Sequence, residues 1–242
     1  ATNYFSVAVY GGMGMGPVLG EVIQRRAGFT TAFVVAGASL LVASVIGFFL
    51  PRDRRITPPG QDAAHAGPSP GLLHRAAILP GLILMGGLFT FTALNGFMPL
   101  YVEEEGLGTA GPVLAVYSGL VLVMRILGSK APDRFGTRAM TLVSLIGQAA
   151  GMLVMGAWAS RFGLFAGAAV LAIGGSFLYP TLLTAAVYGV AENERARATS
   201  TFTLAFELSS GFGGPLLGLA AAFWGTAAAF YGAAISALAV VP

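Results

Sequence analysis

Glu207 is the residue best placed to do chemistry in this 242-residue chain, because it is the only charged side chain between Ala198 and the C-terminal Pro242. Thr199, Thr203, Glu207 and Ser210 follow the spacing i, i+4, i+8, i+11, which puts them on one face of a helix. If that helix crosses a membrane from a cytoplasmic end near Ala198, Glu207 lies about 14 Å deep in a hydrocarbon core of ~30 Å. A carboxylate at that depth is expensive, and by default it lines a cavity or an ion path. Low dielectric favours the neutral carboxyl, so such a group can take up and release a proton or pair with a cationic solute. The structural alternative is a neutral Glu207 that hydrogen-bonds helices together.

Arg125 is the other ionisable group set inside an apolar run. Counting back from Lys130, it is roughly 8 Å inside and within snorkelling reach of the interface, which fits a scaffold or gate. Further polar faces recur on other apolar runs. Phe177, Thr181, Thr184 and Tyr188 share one, beside Tyr179 and Pro180, while Thr92 with Asn95 and Tyr117 mark two more. Gln148 is polar with no evident role. No catalytic set emerges. There is no cysteine, both histidines (His65 and His74) lie outside the apolar runs, and no metal-ligand spacing or phosphate-binding loop occurs. The chain is therefore not read as an enzyme, and no cofactor is expected.

The elements that must position these residues are membrane helices. Hydrophobic residues make up 56% of the chain and charged ones 10%, against roughly 25% charged in a soluble domain. The net charge of +3 is dispersed and offers no patch for nucleic acid. No signal peptide is visible. Uncharged runs predict eight transmembrane helices, at about 1–20, 29–50, 76–102, 110–130, 139–158, 163–190, 198–222 and 226–242. The run 208–242 is too long for one helix, and Trp224–Gly225 is its natural turn. Residues 51–75 are polar and Pro-rich and read as a linker. With that linker cytoplasmic, nine Lys or Arg residues fall on its side and three on the other.

A stretch that occurs twice organises the whole. ATNYFSVAVYGGMGMGPVLG at 1–20 corresponds to ATSTFTLAFELSSGFGGPLLG at 198–218, and GFTTAF from Gly28 aligns with GTAAAF from Gly225, again 197 residues on. Two successive helices repeated in order and crossing in the same direction fit parallel repeats about an axis along the membrane normal. The helices of 72–197 should then have partners upstream, so the expectation is of an N-terminally truncated piece with about 125 residues and four helices preceding it.

Two motifs carry a resemblance to the major facilitator superfamily. Gly12-x-x-x-Gly16-Pro17-x-x-Gly20 resembles the fifth-helix motif of its exporters. Arg125-Ile-Leu-Gly128-Ser129-Lys130-Ala-Pro-Asp133-Arg134-Phe-Gly136-Thr-Arg138 is similar to its cytoplasmic loop signature, Gly-x-x-x-Asp-Arg-x-Gly-x-Arg/Lys, although Ser129 stands in the place of the first glycine. The sequence is similar in style to bacterial sugar and drug efflux permeases. The resemblance implies an all-α integral membrane fold holding helices five to twelve of twelve. Residues 1–50 would be the last two helices of the N-terminal half, 51–75 the cytoplasmic linker and 76–242 the six-helix C-terminal half. It implies a cavity lined by Ser6, Tyr10, Asn95, Tyr117, Thr181, Thr184, Tyr188, Thr203 and Ser210 around Glu207, where Tyr10 is the repeat equivalent of Glu207. The glycines and Pro17 would pack or gate. Asp133, Arg134 and Arg138 would either form a solvated turn or a charge network that holds one conformation closed.

The implied activity is proton-coupled export of drugs, sugars or similar small organic solutes by alternating access. The alternatives are uptake or uniport and, further off, a non-transporting membrane sensor or intramembrane enzyme. The implied partners are a solute, protons and the lipid bilayer. The implied setting is a bacterial inner membrane, with the full-length protein a monomer.

Overall fold

The structure is a computed structural model that describes residues 2–49, 71, 73–128 and 131–242, without the side chains of 2–11, 13, 14, 17, 18, 21 and 131–133. The described residues form α1 (Thr2–Phe48), α2 (Arg75–Glu104), α3 (Ala110–Leu127), α4 (Ala131–Ala157), α5 (Arg161–Gly175), α6 (Leu178–Val187), α7 (Arg195–Trp224) and α8 (Ala227–Ala239), with a 3-10 turn at Glu192–Glu194. Six helical segments among the described residues are long and apolar enough to cross a membrane; Ala227–Ala239 is apolar but shorter. Most of the expected 51–75 linker lies outside the described residues.

The chain divides into two units, Ala1–Val18 with Leu72–Pro242, and Leu19–Gly71. The second unit holds most of a span, Val22–Phe48. Its large apolar side chains are exposed all round, Phe33, Leu40 and Phe48 among them, so that helix is suited to lipid or to partner helices and not to water.

Gly28 and Gly225 repeat each other in backbone as well as in sequence. Gly28 has φ 82° and ψ 170°, Gly225 φ 85° and ψ 164°. An L side chain resists a positive φ, so glycine is required where one helix stops and the next starts at once. The residues between the first two expected spans, 21–27, are helical, and α1 is interrupted only at Gly28. Gly225 ends α7 where the turn was expected. Gly136 adopts the same conformation, φ 75° and ψ 162°, inside α4. That accounts for the glycine after Asp133-Arg134 in the loop motif.

The sixth span is split. Pro180 has no N–H to give to the carbonyl of Ser176 and would crowd it, so α5 stops at Gly175 and α6 restarts at Leu178. At the other end of α5, Ser160 caps the helix by accepting from the Gly163 amide at 3.0 Å.

In the first unit α2 is the central helix, packed by α3, α4, α6, α7 and α8. Small residues set the distances. A Cβ on Gly147 would stand 2.8 Å from the Gly174 Cα, and one on Gly151 would stand 2.7 Å from the Gly167 carbonyl oxygen, so α4 and α5 meet backbone to backbone. Such contacts replace the hydrophobic drive that lipid does not supply. Hydroxyls tie the remaining helices: Ser209 donates to the Met85 carbonyl at 3.0 Å, Ser236 to Gly86 at 3.1 Å, and Tyr101 to Met155 at 3.3 Å.

Gly151→Ala should therefore overpack the α4–α5 contact and destabilise the chain by about 1–3 kcal/mol. Gly119→Ala, where a Cβ would meet nothing within 4 Å, should be neutral or stabilising by up to ~1 kcal/mol through helix propensity. Thermal unfolding of both variants in detergent, followed by circular dichroism, reads the contrast.

Candidate functional site

α7 presents two unlike faces. Ala198, Thr201, Phe202, Ala205, Ser209, Gly213 and Leu217 are buried against the bundle. Thr199, Thr203, Glu207 and Ser210 are exposed, and Glu207 points about 180° away from the packed stripe. Thr203 donates to the Thr199 carbonyl at 3.0 Å and Ser210 to the Phe206 carbonyl at 3.5 Å, so these hydroxyls are occupied within their own helix. Glu207 has no hydrogen bond or ion pair among the described residues. The structure thus brings the four residues together, on a face that nothing in the first unit covers.

A cavity of about 80 Å³ lies on the packed side. Leu84, Leu88 and Phe91 of α2, Tyr117, Val121 and Arg125 of α3, Gln148 of α4, Gly175 of α5, Leu178 and Tyr179 of α6, and Phe206 of α7 line it. The α3 residues are four apart, which puts the aromatic ring, the aliphatic group and the guanidinium on one helix face. Tyr179 packs on Phe202 and Phe206, with ring centroids 5.4 and 6.3 Å apart.

Gln148 is the buried polar anchor, 5% exposed. Thr90, on α2, is 1% exposed; its hydroxyl lies 2.6 Å from Gln148 Oε1 and 2.7 Å from the Gly87 carbonyl. One hydroxyl proton serves one of these acceptors at a time. The Nε2 end of the Gln148 amide has no partner among the described residues. Sequence reasoning noted Gln148 as anomalous without finding its place. The signal was there, since an amide inside an apolar span needs a polar partner or a cavity.

The remaining expected site residues are distributed as follows. Tyr117 and Arg125 share the cavity. Thr181 is 2% exposed, its hydroxyl enclosed and without a partner among the described residues. Thr184 and Tyr188 are exposed and line an open pocket with Thr199 and Arg195. The face expected to unite Phe177, Thr181, Thr184 and Tyr188 is divided, because α6 stops at Val187 and leaves Tyr188 in extended backbone. Phe177 is instead buried, and a Cβ on Gly128 would run into its ring. Asn95 is exposed and donates to its own helix at Phe91. Arg134 and Arg138 are exposed. Gly12, Gly16 and Gly20 each have open space where a Cβ would stand. The side chains of Ser6, Tyr10, Pro17 and Asp133 lie outside the described residues.

One cluster was not expected. At the cytoplasmic end assigned from charge, the His74 amide donates to Thr201 Oγ1 at 2.9 Å, His74 Nε2 lies 3.6 Å from Glu194, and Arg197 pairs with Glu194 at 2.6 Å. It pins the start of α2 to the start of α7. Among the described residues no three His, Asp or Glu side chains gather as a metal site would require.

These features define a multi-pass helical membrane protein with polar groups gathered inside its spans. The family model of the Major Facilitator Superfamily matches residues 1–131 and 108–242, and the chain belongs to that superfamily. An uncharacterized MFS-type transporter of Salmonella typhimurium is 28% identical over 221 residues, covering 91% of this chain and 55% of the relative. The uncharacterized MFS-type transporter YhhS of Escherichia coli K12 is 27% identical over 226 residues, 90% of this chain and 52% of the relative. A third such relative, from Burkholderia mallei, is 28% identical over 244 residues, 99% of this chain and 57% of the relative. The chain spans about half the length of the curated relatives it matches. No solved structure matches it.

Replacing Thr90 by Val should leave both ends of the Gln148 amide unsatisfied and destabilise the chain by about 1–3 kcal/mol. Adding Gln148→Leu to Thr90→Val should recover most of that loss, because removing both partners removes the unpaired group. A double-mutant cycle on thermal unfolding measures the coupling.

Proposed function

We propose that this chain is part of a proton-coupled exporter of small organic solutes that works by alternating access in a bacterial inner membrane. Residues 1–50 supply the last two helices of its N-terminal half, 51–75 the cytoplasmic linker and 76–242 the six helices of its C-terminal half, eight transmembrane helices in all. Support comes from family membership, from the charge bias across the loops and from the repeat. A single observation carries the mechanism. Glu207 sits on a helix long enough to span, on the face turned away from the packed bundle, with no hydrogen bond or ion pair among the described residues. A carboxyl group so placed can be wetted in one conformation and enclosed in another. Proton release can thus be tied to solute passage.

Asn95, Thr184, Tyr188, Thr203 and Ser210, with Ser6 and Tyr10 from the repeat copy, form the polar lining in this reading, and Tyr117 and Thr181 lie behind it. Gly12, Gly16, Pro17 and Gly20 act in the gating helix. Arg125, Gly128, Asp133, Arg134, Gly136 and Arg138 form the cytoplasmic turn that holds one state closed.

The test uses proteoliposomes that hold the whole transporter and a pH-sensitive dye, with ethidium, a pentose or an organic acid as solute. The expected result is solute-driven proton movement that Glu207→Gln abolishes while counterflow of the solute survives. Counterflow without proton movement in the unmodified protein would favour a uniporter. Coupling and solute affinity both intact in Glu207→Gln would sink the proposal.

A further inference from the structure

The end of the first unit opposite the His74 cluster carries a pocket that the Glu207 reading does not use. Two contacts gather the helix ends there. Arg161 Nε donates to the Leu107 carbonyl at 2.9 Å, tying the start of α5 to the α2–α3 connection, and Thr226 donates to the Glu104 carboxylate, tying the α7–α8 turn to the end of α2. Both tryptophans of the chain stand at this end and are exposed, Trp158 packed on Phe162 and Trp224 on Phe223. Tryptophan gathers where hydrocarbon meets lipid headgroups, so this end lies at headgroup depth.

The pocket lies between α3 and α5, and Arg161 and Thr109 are its polar lining side chains. The Arg161 guanidinium lies against Gly108, where a Cβ would stand 3.3 Å from Nη2, and its bond to Leu107 is its one hydrogen bond among the described residues. The Thr109 hydroxyl makes no cap bond to α3. Glu103, Glu104 and Glu105 lead into the same connection, but none of them lines the pocket or pairs with Arg161, and Glu104 is engaged by Thr226. The other walls are apolar, Val113 and Leu164 buried, Pro112 and Phe165 exposed. From Pro112 an exposed stripe of Val116, Gly119, Val123 and Ile126 runs along α3 with no hydroxyl and no charge, unlike the open face of α7. We infer that this pocket holds a membrane phospholipid, its phosphodiester on Arg161 and Thr109 and an acyl chain along the α3 stripe. A guanidinium fork matches two phosphate oxygens, and the Leu107 carbonyl already fixes its orientation, so little freedom is lost on binding. A diester carries one negative charge to match one guanidinium. A phosphate monoester approaches two, which the neighbouring acidic run disfavours, and free phosphate has nothing to lay on the stripe.

The inference goes beyond the exporter reading and does not depend on the direction or coupling of transport. Its test is native mass spectrometry of the delipidated whole transporter, in which α3 is open only where the assembled helices leave it open. The protein is titrated with phosphatidylglycerol, phosphatidylethanolamine or diacylglycerol of the same chains. A first adduct is expected with either phospholipid at concentrations where diacylglycerol gives none, and excess inorganic phosphate should not displace it. Arg161→Met should weaken that adduct about tenfold and Thr109→Val about threefold. Thr109→Val keeps the Arg161–Leu107 contact, so it decides the matter if Arg161→Met does not fold, as judged by helical circular dichroism. Equal retention of diacylglycerol would mean an apolar groove without a phosphate site. Displacement by inorganic phosphate would mean a soluble-anion site, and no discrete first adduct would mean a face covered by other helices. Each of these outcomes overturns the inference, as does an undiminished adduct in a folded Arg161→Met protein or, failing that, in Thr109→Val.

Discussion

Inside a bilayer no water is present to satisfy a backbone N–H or C=O, so each must find its partner within its own helix. That constraint decides where this chain is allowed to be irregular. Among the described residues, Gly28, Gly136 and Gly225 take positive φ at breaks where one helical run hands over directly to the next, while Gly106, Gly108 and Gly189 take it in the longer connections. A fourth break uses Pro180, which has no N–H for the Ser176 carbonyl, and the ladder resumes one residue on, where the Thr181 amide donates to the Phe177 carbonyl at 3.1 Å. Where backbone leaves the helix, the departure is short.

The same solvent removes the usual reason for helices to associate, since lipid tails are as apolar as leucine. What remains is close contact and polar glue, and the first unit is built from both. Gly147, Gly151, Gly167 and Gly174 let α4 and α5 touch through their backbones, while Ser209, Ser236 and Tyr101 donate across helix pairs to carbonyls. These donors sit on faces that pack. The hydroxyls of Ser200, Thr203 and Ser210 lie on the exposed side of α7 and donate only to their own helix. Polarity alone therefore does not mark a solute-facing residue on α7, where Ser209 donates across to α2 while Thr203 and Ser210 donate within their own helix.

Much of this was legible in the sequence. Charge-free runs placed α2, α3, α7 and α8 to within a few residues, but they missed the start of α4, which begins at Ala131 and not near 139, and the break inside the sixth span. The 197-residue offset paired Gly28 with Gly225, which the backbone then matched in φ and ψ. The periodicity of Thr199, Thr203, Glu207 and Ser210 placed Glu207 on an open face. Periodicity failed where a helix stopped. Thr181 and Tyr188 are seven residues apart and share a face only if the helix continues, but α6 stops at Val187, leaving one side chain enclosed and the other exposed. Gln148 was illegible for another reason. Its meaning depends on Thr90, 58 residues away, and on Arg125 across a cavity, and no local pattern contains either relation.

The repeat and the cavity meet in α7. Phe206 and Glu207 are consecutive, so their side chains leave the helix about 100° apart. Phe206 closes the wall of the cavity against Tyr179, and Glu207 faces away from the bundle. Between them and the end of the helix lies Pro215, which lacks the N–H that would bind the Gly211 carbonyl and so weakens α7 at one point. From Ala198 to Ser210 the helix has no such weakness. A movement of this part of α7 therefore carries Glu207 and Phe206 together. The first copy of the repeat keeps the proline, at Pro17, but has Tyr10 in the place of Glu207. The two copies thus share the proline and differ in charge, with Glu207 in α7 where the first copy has Tyr10.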